Sequence, residues 1–294
     1  MRAFGLTLAL PVMVGCGNIS NAVFTEDADF AAALPAETRT TLSAPPGADT
    51  STPPALLATT LDVGTALDDW LLTVTAVADT IRSAAPASRT EDGRTWGAYD
   101  WSGSDLTASM DRTGGTRYDW AVESNGAGFA AGTHYAGLTV AAGDGTFAWD
   151  QTSLSEQTGE TSAGRVDVAY ENRDGVDLVV VVDDWTPDSD ATDPTDAAFA
   201  YTLVTGSGDF QFSTTLDLGD EVGAPAVVRA RWVENVGGRA DALVSLGTGL
   251  EDTWTECWDN DGALIYETDS LEKVEPVGLD AACAVHGVEL PDRI

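Results

Sequence analysis

The sequence predicts a mainly β protein: one large antiparallel meander of about a dozen strands, an open or half-barrel sheet, with one N-terminal amphipathic helix packed on it. Three observations predict it. From Thr95 onward apolar residues recur at every second position, the period of strands with one dry face and one wet face. The alternating runs are separated by short glycine-containing turns, which join neighbouring strands as hairpins. Ahead of them, residues 59–86 carry the three-and-four spacing of a helix.

In chain order, Met1 and Arg2 precede an 11-residue apolar run, Phe4–Val14, then Gly15 and Cys16. One positive charge, a short apolar run and a small residue at the cut make residues 1–15 a secretory signal. The run falls short of the roughly 20 apolar residues a spanning helix needs. An ordinary cleaved signal, with Cys16 incidental, is one reading. The other comes from a resemblance: Met13-Val14-Gly15-Cys16 resembles the lipobox of bacterial lipoproteins, with Met13 where leucine is commonest. The resemblance implies that the Cys16 sulfur receives a diacylglyceryl group, that the signal is cut before it, and that the new amino terminus is often acylated as well. The chain would then be held to a membrane by lipid, since each buried methylene contributes about 0.8 kcal/mol and more than one acyl chain is needed for stable anchoring. Gly17, rather than Asp, follows the cysteine, which by the same resemblance implies the outer membrane, on its periplasmic or its surface face.

Residues 16–56 read as a lipidated N-terminus and flexible tether, because their later half is rich in Pro, Ser, Thr and Ala. A short helix over Asp27–Ala33 interrupts it. Residues 57–294 form the helix and sheet domain. Val63, Leu67, Trp70, Val74, Val77 and Ile81 line one helix face, with Thr60 or Asp62 as its cap. The pattern stops after three heptads, so this helix packs on a sheet rather than in a coiled coil.

The strand pairs follow. Leu106, Ala108 and Met110 turn at Thr113-Gly114-Gly115 into Tyr118, Trp120 and Val122. Val166, Val168 and Tyr170 turn near Gly175 into Val176, Leu178, Val180 and Val182. Phe199, Tyr201 and Leu203 pass Gly206-Ser207-Gly208 into Phe210, Phe212, Thr214 and Leu216. Val228, Ala230 and Trp232 pass Val236-Gly237-Gly238 into Ala240, Ala242 and Val244; Thr253–Trp258 turns at Asp259-Asn260-Asp261-Gly262 into Leu264–Thr268.

This order of elements over residues 60–270 resembles the open half-barrel of outer-membrane lipoprotein carriers and their membrane-bound acceptors, where a helix lies across a curved sheet. The resemblance rests on layout alone, and fold does not by itself give function. Glu256-Cys257-Trp258-Asp259 with Ala282-Cys283 also resembles the C-terminal region of uncharacterised secreted lipoproteins, which implies no activity.

Lys and Arg total 14 against 48 Asp and Glu, a net charge of −34. Such a chain repels nucleic acid and anionic headgroups, so neither is an expected partner. With Cys16 lipidated, Cys257 and Cys283 remain as an even pair in an oxidising compartment, and they read as a disulfide. His134 alternates with Ala136, Leu138 and Val140 on one strand face and reads as a hydrogen-bonded core histidine; His286 lies in the tail. No HExxH, CxxC, GxSxG or GxxxxGK[ST] motif occurs, which removes the usual supports for metal hydrolysis, serine hydrolysis and nucleotide binding. No metal and no cofactor is expected. Asp183, Asp184, Asp188, Asp190, Asp193 and Asp196 crowd one loop, but without the glycine and distal glutamate of an EF-hand they read as a solvated acidic loop.

The expected function is a non-catalytic, membrane-anchored lipoprotein that binds a protein partner or an apolar ligand on its sheet. Two other classes stay open. Nine tryptophans allow a sugar-binding or adhesive module, and the abundance of acids allows a glycoside hydrolase with a carboxylate pair. The three differ in geometry: an apolar concavity beneath Val63–Ile81, tryptophans exposed on a solvent face, or two carboxylates about 5 to 10 Å apart in one cleft.

Overall fold

The structure, a computed structural model, describes residues 21–36, 40, 42–101, 103–159, 161–172, 175–186, 195–218, 221–247 and 249–287. Helices α1 (Asn21–Ala33) and α2 (Ala55–Arg82) come first. Strands β1 (Ser88–Arg89), β2 (Gly93–Trp101), β3 (Ser104–Thr113), β4 (Arg117–Ser124), β5 (Ala127–Ala136) and β6 (Gly143–Asp150) follow. After a short α3 (Gln151–Thr158) come β7 (Ala163–Asn172), β8 (Val176–Thr186), β9 (Thr195–Val204), β10 (Ser207–Leu218) and β11 (Glu221–Val233). The chain continues through β12 (Gly237–Ser245), β13 (Glu251–Asp259), β14 (Leu264–Asp269) and β15 (Val277–Gly278), and a 3₁₀ turn spans Asp280–Ala282. All 15 strands belong to one open antiparallel sheet whose spatial order is the chain order, β1 to β15, and which does not close into a barrel. The meander expected from the glycine turns is therefore present, with more strands than the alternation announced. β1 and β15 have two residues each and carry too little pattern to be read.

Alternation sets the two faces. Leu106, Ala108 and Met110 are buried on one face, and the series continues strand by strand to Val228, Ala230 and Trp232, then Ala240, Ala242 and Val244. This inner face meets the helices. Two glycines read as turn residues also make room on it: a Cβ on Gly208 would lie 2.1 Å from the Trp232 ring, and one on Gly238 would lie 2.3 Å from the Trp258 ring. The two large indoles pack across strands because their partners have no side chain.

α2 is longer than its apolar periodicity predicted and starts eight residues earlier than Val63. Neither Thr60 nor Asp62 caps it. Pro54 stands at the N-cap, and the Thr60 hydroxyl donates to Leu56 O at 2.7 Å inside the helix. α1 extends the short helix expected over Asp27–Ala33. Its Phe30 is fully buried, edge-on to Tyr118, with the Arg94 guanidinium 4.4 Å from the ring centroid. Burial would raise the Asp27 carboxyl, but hydrogen bonds from Arg94 and Arg89 hold it below the usual range.

The described residues of the stretch read as a tether are packed against the domain. Leu42 N donates to Asp68 Oδ1 at 2.9 Å, and Ser43 N donates to the Tyr201 hydroxyl at 2.8 Å. Gly47 lies against Gly262, so close that a Cβ there would come within 2.3 Å of its backbone. Composition alone missed these contacts because they are made by backbone groups and by glycine, not by an apolar pattern. α3 was missed for a related reason: it has few apolar residues. Its signals are Asp150, whose carboxylate accepts from Ser153 N at 2.8 Å, and Gly159 in the left-handed region at its end.

On the outer face, the segment after β14 covers β11 to β13. Beneath it Arg239 and Asp241 are fully buried and paired at 3.0 Å. Arg231 donates to Asp241 at 2.8 Å, and Thr255 does the same at 2.8 Å. Arg239 reaches Asp280 at 2.5 Å on the covering segment. Removing one partner of such a buried pair leaves a charge without compensation, so the segment must stay in place. Cys257 on β13 is bonded to Cys283, immediately after the 3₁₀ turn, with Cα atoms 5.6 Å apart. The expected disulfide is present and staples the tail over this network. Replacing Cys283 by Ala is expected to lower stability by about 3.5 kcal/mol, the loop-closure value for a loop of this size. Denaturant unfolding of the variant against the oxidised parent checks it; equal midpoints would remove the stabilising role.

Candidate functional site

Between α2 and the inner face lies a cavity of about 980 Å³. Val63, Ala66, Leu67 and Trp70 of α2 form one wall. Val166 on β7, Val182 and Trp185 on β8, Ala197 and Phe199 on β9, Thr214 on β10 and Ala226 on β11 form the other. The sequence builds the space by a local change of side-chain size. At Thr214 and Ala226, which pair across β10 and β11, the inner face carries small residues where its neighbours carry Phe212 and Val228. The helix bridges this shallow region without filling it. Of the apolar face read along α2, Leu67, Val74, Val77 and Ile81 are buried; Val63 and Trp70, the members left partly exposed, both line the cavity.

Among the described residues the lining is apolar apart from Ser213, Thr214, Thr215, Ser245 and Asp196, of which Thr214 stands on the inner face. Asp196 is exposed and accepts from Asp184 N at 3.0 Å, while its neighbours Ala197 and Phe199 are the inner-facing positions of β9. Asp183 is also exposed; Asp188, Asp190 and Asp193 lie outside the described residues. Among the described residues no group of three or more His, Cys, Asp or Glu is placed to hold a metal ion. Of the tryptophans whose side chains are described, Trp96, Trp120, Trp149, Trp232, Trp254 and Trp258 are buried, and Trp70 and Trp185 line the cavity.

His134 is buried as expected. Its Nε2 lies 2.7 Å from the Val140 carbonyl and its Nδ1 lies 3.0 Å from the Tyr170 hydroxyl. A carbonyl only accepts, so Nε2 carries the proton and Nδ1 accepts from tyrosine. The alternation read through Val140 ends early, however. β5 stops at Ala136 and Leu138 is fully exposed, because 137–142 is a loop between Gly137 and Gly143. His286 is exposed in the tail. Cys16 lies outside the described residues, and among those described no helix is long and apolar enough to cross a membrane.

Sequence reasoning missed Glu256. Its side chain stands on the inner face of β13, where both oxygens accept from the start of α2: Leu56 N at 2.6 Å and Ala55 N at 3.2 Å. These are orphan donors of a helix N-terminus, where the helix dipole also favours negative charge. Burial is the larger effect and pushes the carboxyl up to about 7, with Glu267, its cross-strand neighbour, adding to the rise and the backbone donors opposing it. Glu267 is engaged by Trp254 Nε1 at 3.2 Å, and neither glutamate lines the cavity. The only sequence signal was an acid at an inward position of an alternating strand.

No protein-family model, no curated protein and no solved structure matches this chain.

Because Glu256 holds its proton to a higher pH when folded than when unfolded, its linked stability is full below about pH 4.5 and is lost as pH rises through about 7. The change is on the order of 3 kcal/mol. Glu256→Gln keeps an acceptor for Leu56 N without a titrating group. The parent is therefore expected to lose more stability than the variant between pH 5 and 8 in urea unfolding. Parallel pH profiles would show that Glu256 does not titrate there.

Proposed function

We propose that this chain is an exported lipoprotein, anchored to the outer membrane through lipid on Cys16, whose β domain holds an apolar ligand without catalysis. The cavity carries this reading. It lies beneath the Val63–Ile81 face, it is walled by aliphatic and aromatic side chains, and its volume is at the upper end of the roughly 300–1,000 Å³ typical of small-molecule sites. Trp70 and Trp185, the partly exposed tryptophans among those whose side chains are described, line it, which favours an apolar ligand over a sugar-binding surface. Among the described lining residues Asp196 is the only acid, which favours binding over a two-carboxylate hydrolysis that needs a partner acid across the cleft. The anchor rests on the resemblance of Met13–Cys16 to a lipobox.

Titration with the neutral fluorophore N-phenylnaphthylamine tests the ligand reading. Saturable dye emission is expected, with energy transfer from Trp70 and Trp185. Ala66 is an exposed position of α2 on the cavity wall, so Ala66→Trp fills the space without displacing the core. It is expected to weaken the dye by about tenfold, the scale set by losing one well-filled apolar subsite. No saturable binding by the parent would sink the reading. The anchor is tested separately: in a lipoprotein-processing host, the mature protein should begin at Cys16 with the added mass of its acyl chains. An unmodified Cys16 or a cut elsewhere would remove the anchor.

A further inference from the structure

We infer that the domain stands on the membrane by one end of its sheet, with Leu138 inserted among the lipids. The inference rests on the Cys16 anchor proposed above and adds the face that meets the bilayer.

In a meander, alternate turns fall at the same end, so the β1–β2, β3–β4, β5–β6 and β13–β14 turns share one. Helix α1 is fixed there. Asp27 pairs with Arg89 and Arg94 on either side of the β1–β2 turn, and Phe30 packs on Tyr118 just after the β3–β4 turn. From Asp27 back to Asn21 is about 9 Å of helix. Five further residue steps lead to Cys16, at most about 18 Å of chain. Even drawn out straight, that link spans no more than the length of β2 to β5, about 30 Å. Lipid on Cys16 therefore brings this end of the sheet to the bilayer.

The two turns beside α1 have the chemistry of a lipid contact. Thr113–Thr116 and Gly137–Gly143 contain no charged residue, in a chain of net charge −34, whereas the β1–β2 and β13–β14 turns carry Glu91 and Asp92, and Asp259 and Asp261. Leu138 is fully exposed at the β5–β6 turn. That loop is held from beneath, where His134 Nε2 donates to Val140 O at 2.7 Å. Tyr135 stands exposed at its base, with the Arg117 guanidinium 5.9 Å from the ring centroid. An aromatic body with a polar tip suits the headgroup level. One leucine does not hold a protein on a membrane by itself. On a domain already tethered by lipid it needs only to select the orientation, because the tether keeps its local concentration at the bilayer high. Val166, Thr215 and Pro225 of the cavity wall stand toward the other ends of their strands, so this pose keeps the ligand site away from the anchoring bilayer.

A nitrobenzoxadiazole probe on Ala141→Cys, an exposed position of the same loop, tests the pose. Cys257 and Cys283 are bonded to each other and Cys16 would carry lipid, so the introduced thiol takes the label. The lipidated chain is reconstituted into phosphatidylcholine vesicles, whose surface has no net charge to repel an acidic protein. The probe is expected to shift to the blue and to be quenched by doxyl-labelled lipid. The same probe on Leu250→Cys, exposed in the β12–β13 turn at the opposite end, is expected to do neither. Adding Leu138→Asp to the Ala141→Cys chain is expected to lower the ratio of inserted to solvated probe about tenfold, the scale of one leucine side chain leaving lipid. A probe at 141 that stays aqueous on vesicle-bound protein would overturn the inference and leave the anchor standing. So would quenching that Leu138→Asp does not change, or stronger quenching at 250. A shielded probe that doxyl lipid does not quench would also overturn it, since a protein would then cover the loop. A Cys16 that carries no lipid fails at the earlier step and overturns both.

Discussion

The amino end of α2 is held by a carboxylate that enters the chain 200 residues later. Leu56 N and Ala55 N have no partner within their own helix, and Glu256 on β13 supplies both. That contact decides where the helix begins and how it lies across the sheet. An open sheet of this size presents an apolar inner face that must be covered, and α2, about 42 Å long, is its main cover over the later strands. With its start fixed over β13, the residues two to four turns along stand above β7 to β12. There Thr214, Ala197 and Ala226 leave space, and the cavity is the result. Burial keeps the carboxyl near the balance point between its two protonation states, so the seat is a polar contact at which solvation and hydrogen bonding nearly cancel.

Much of the architecture was legible because it is written in short-range pattern. Alternation at Leu106, Ala108 and Met110, or at Val166, Val168 and Tyr170, records a one-sided sheet directly, and glycine turns record antiparallel neighbours. The cysteine pair was readable from its even number and from the oxidising compartment that the signal-like N-terminus led one to expect. What stayed hidden depends on contacts between residues far apart in the chain. Glu256 looks like any acid in an acidic protein until the helix end is placed above it. The packing of residues 42–47 is made by backbone donors and by two glycines in contact. The cavity was half legible. The face containing Val63 and Trp70 was identified, but periodicity marks a residue as apolar and does not tell whether it meets a core or a void.

The two faces of the sheet divide the polar chemistry. Inner positions between β7 and β12 are apolar or hydroxylic, and the guanidinium groups of this region stand on the outer face, each matched to an acid on the same or the next strand. Arginine is suited to this because its fork engages both carboxylate oxygens, as Arg239 does with Asp241. With few cations in the chain, pairing consumes them locally, and the unpaired remainder of the surface is negative. The covered network under the tail is the extreme case, where an ion pair excluded from water is closed over by a disulfide-stapled segment.

Strand order that equals chain order has a consequence for assembly. Each strand's partner is the one just made, so the sheet grows by closing loops of a few residues, at small entropic cost per step. Docking the amino end of α2 against Glu256 is different: it closes a loop of 200 residues in one event and requires a strand from near the end of the chain. The topology thus implies a sequence in which the sheet extends hairpin by hairpin while the helix waits, and the roof is set last. Until then the groove between Phe199 and Ala226 lies open along its length, and its apolar wall is shielded from water only when the roof arrives.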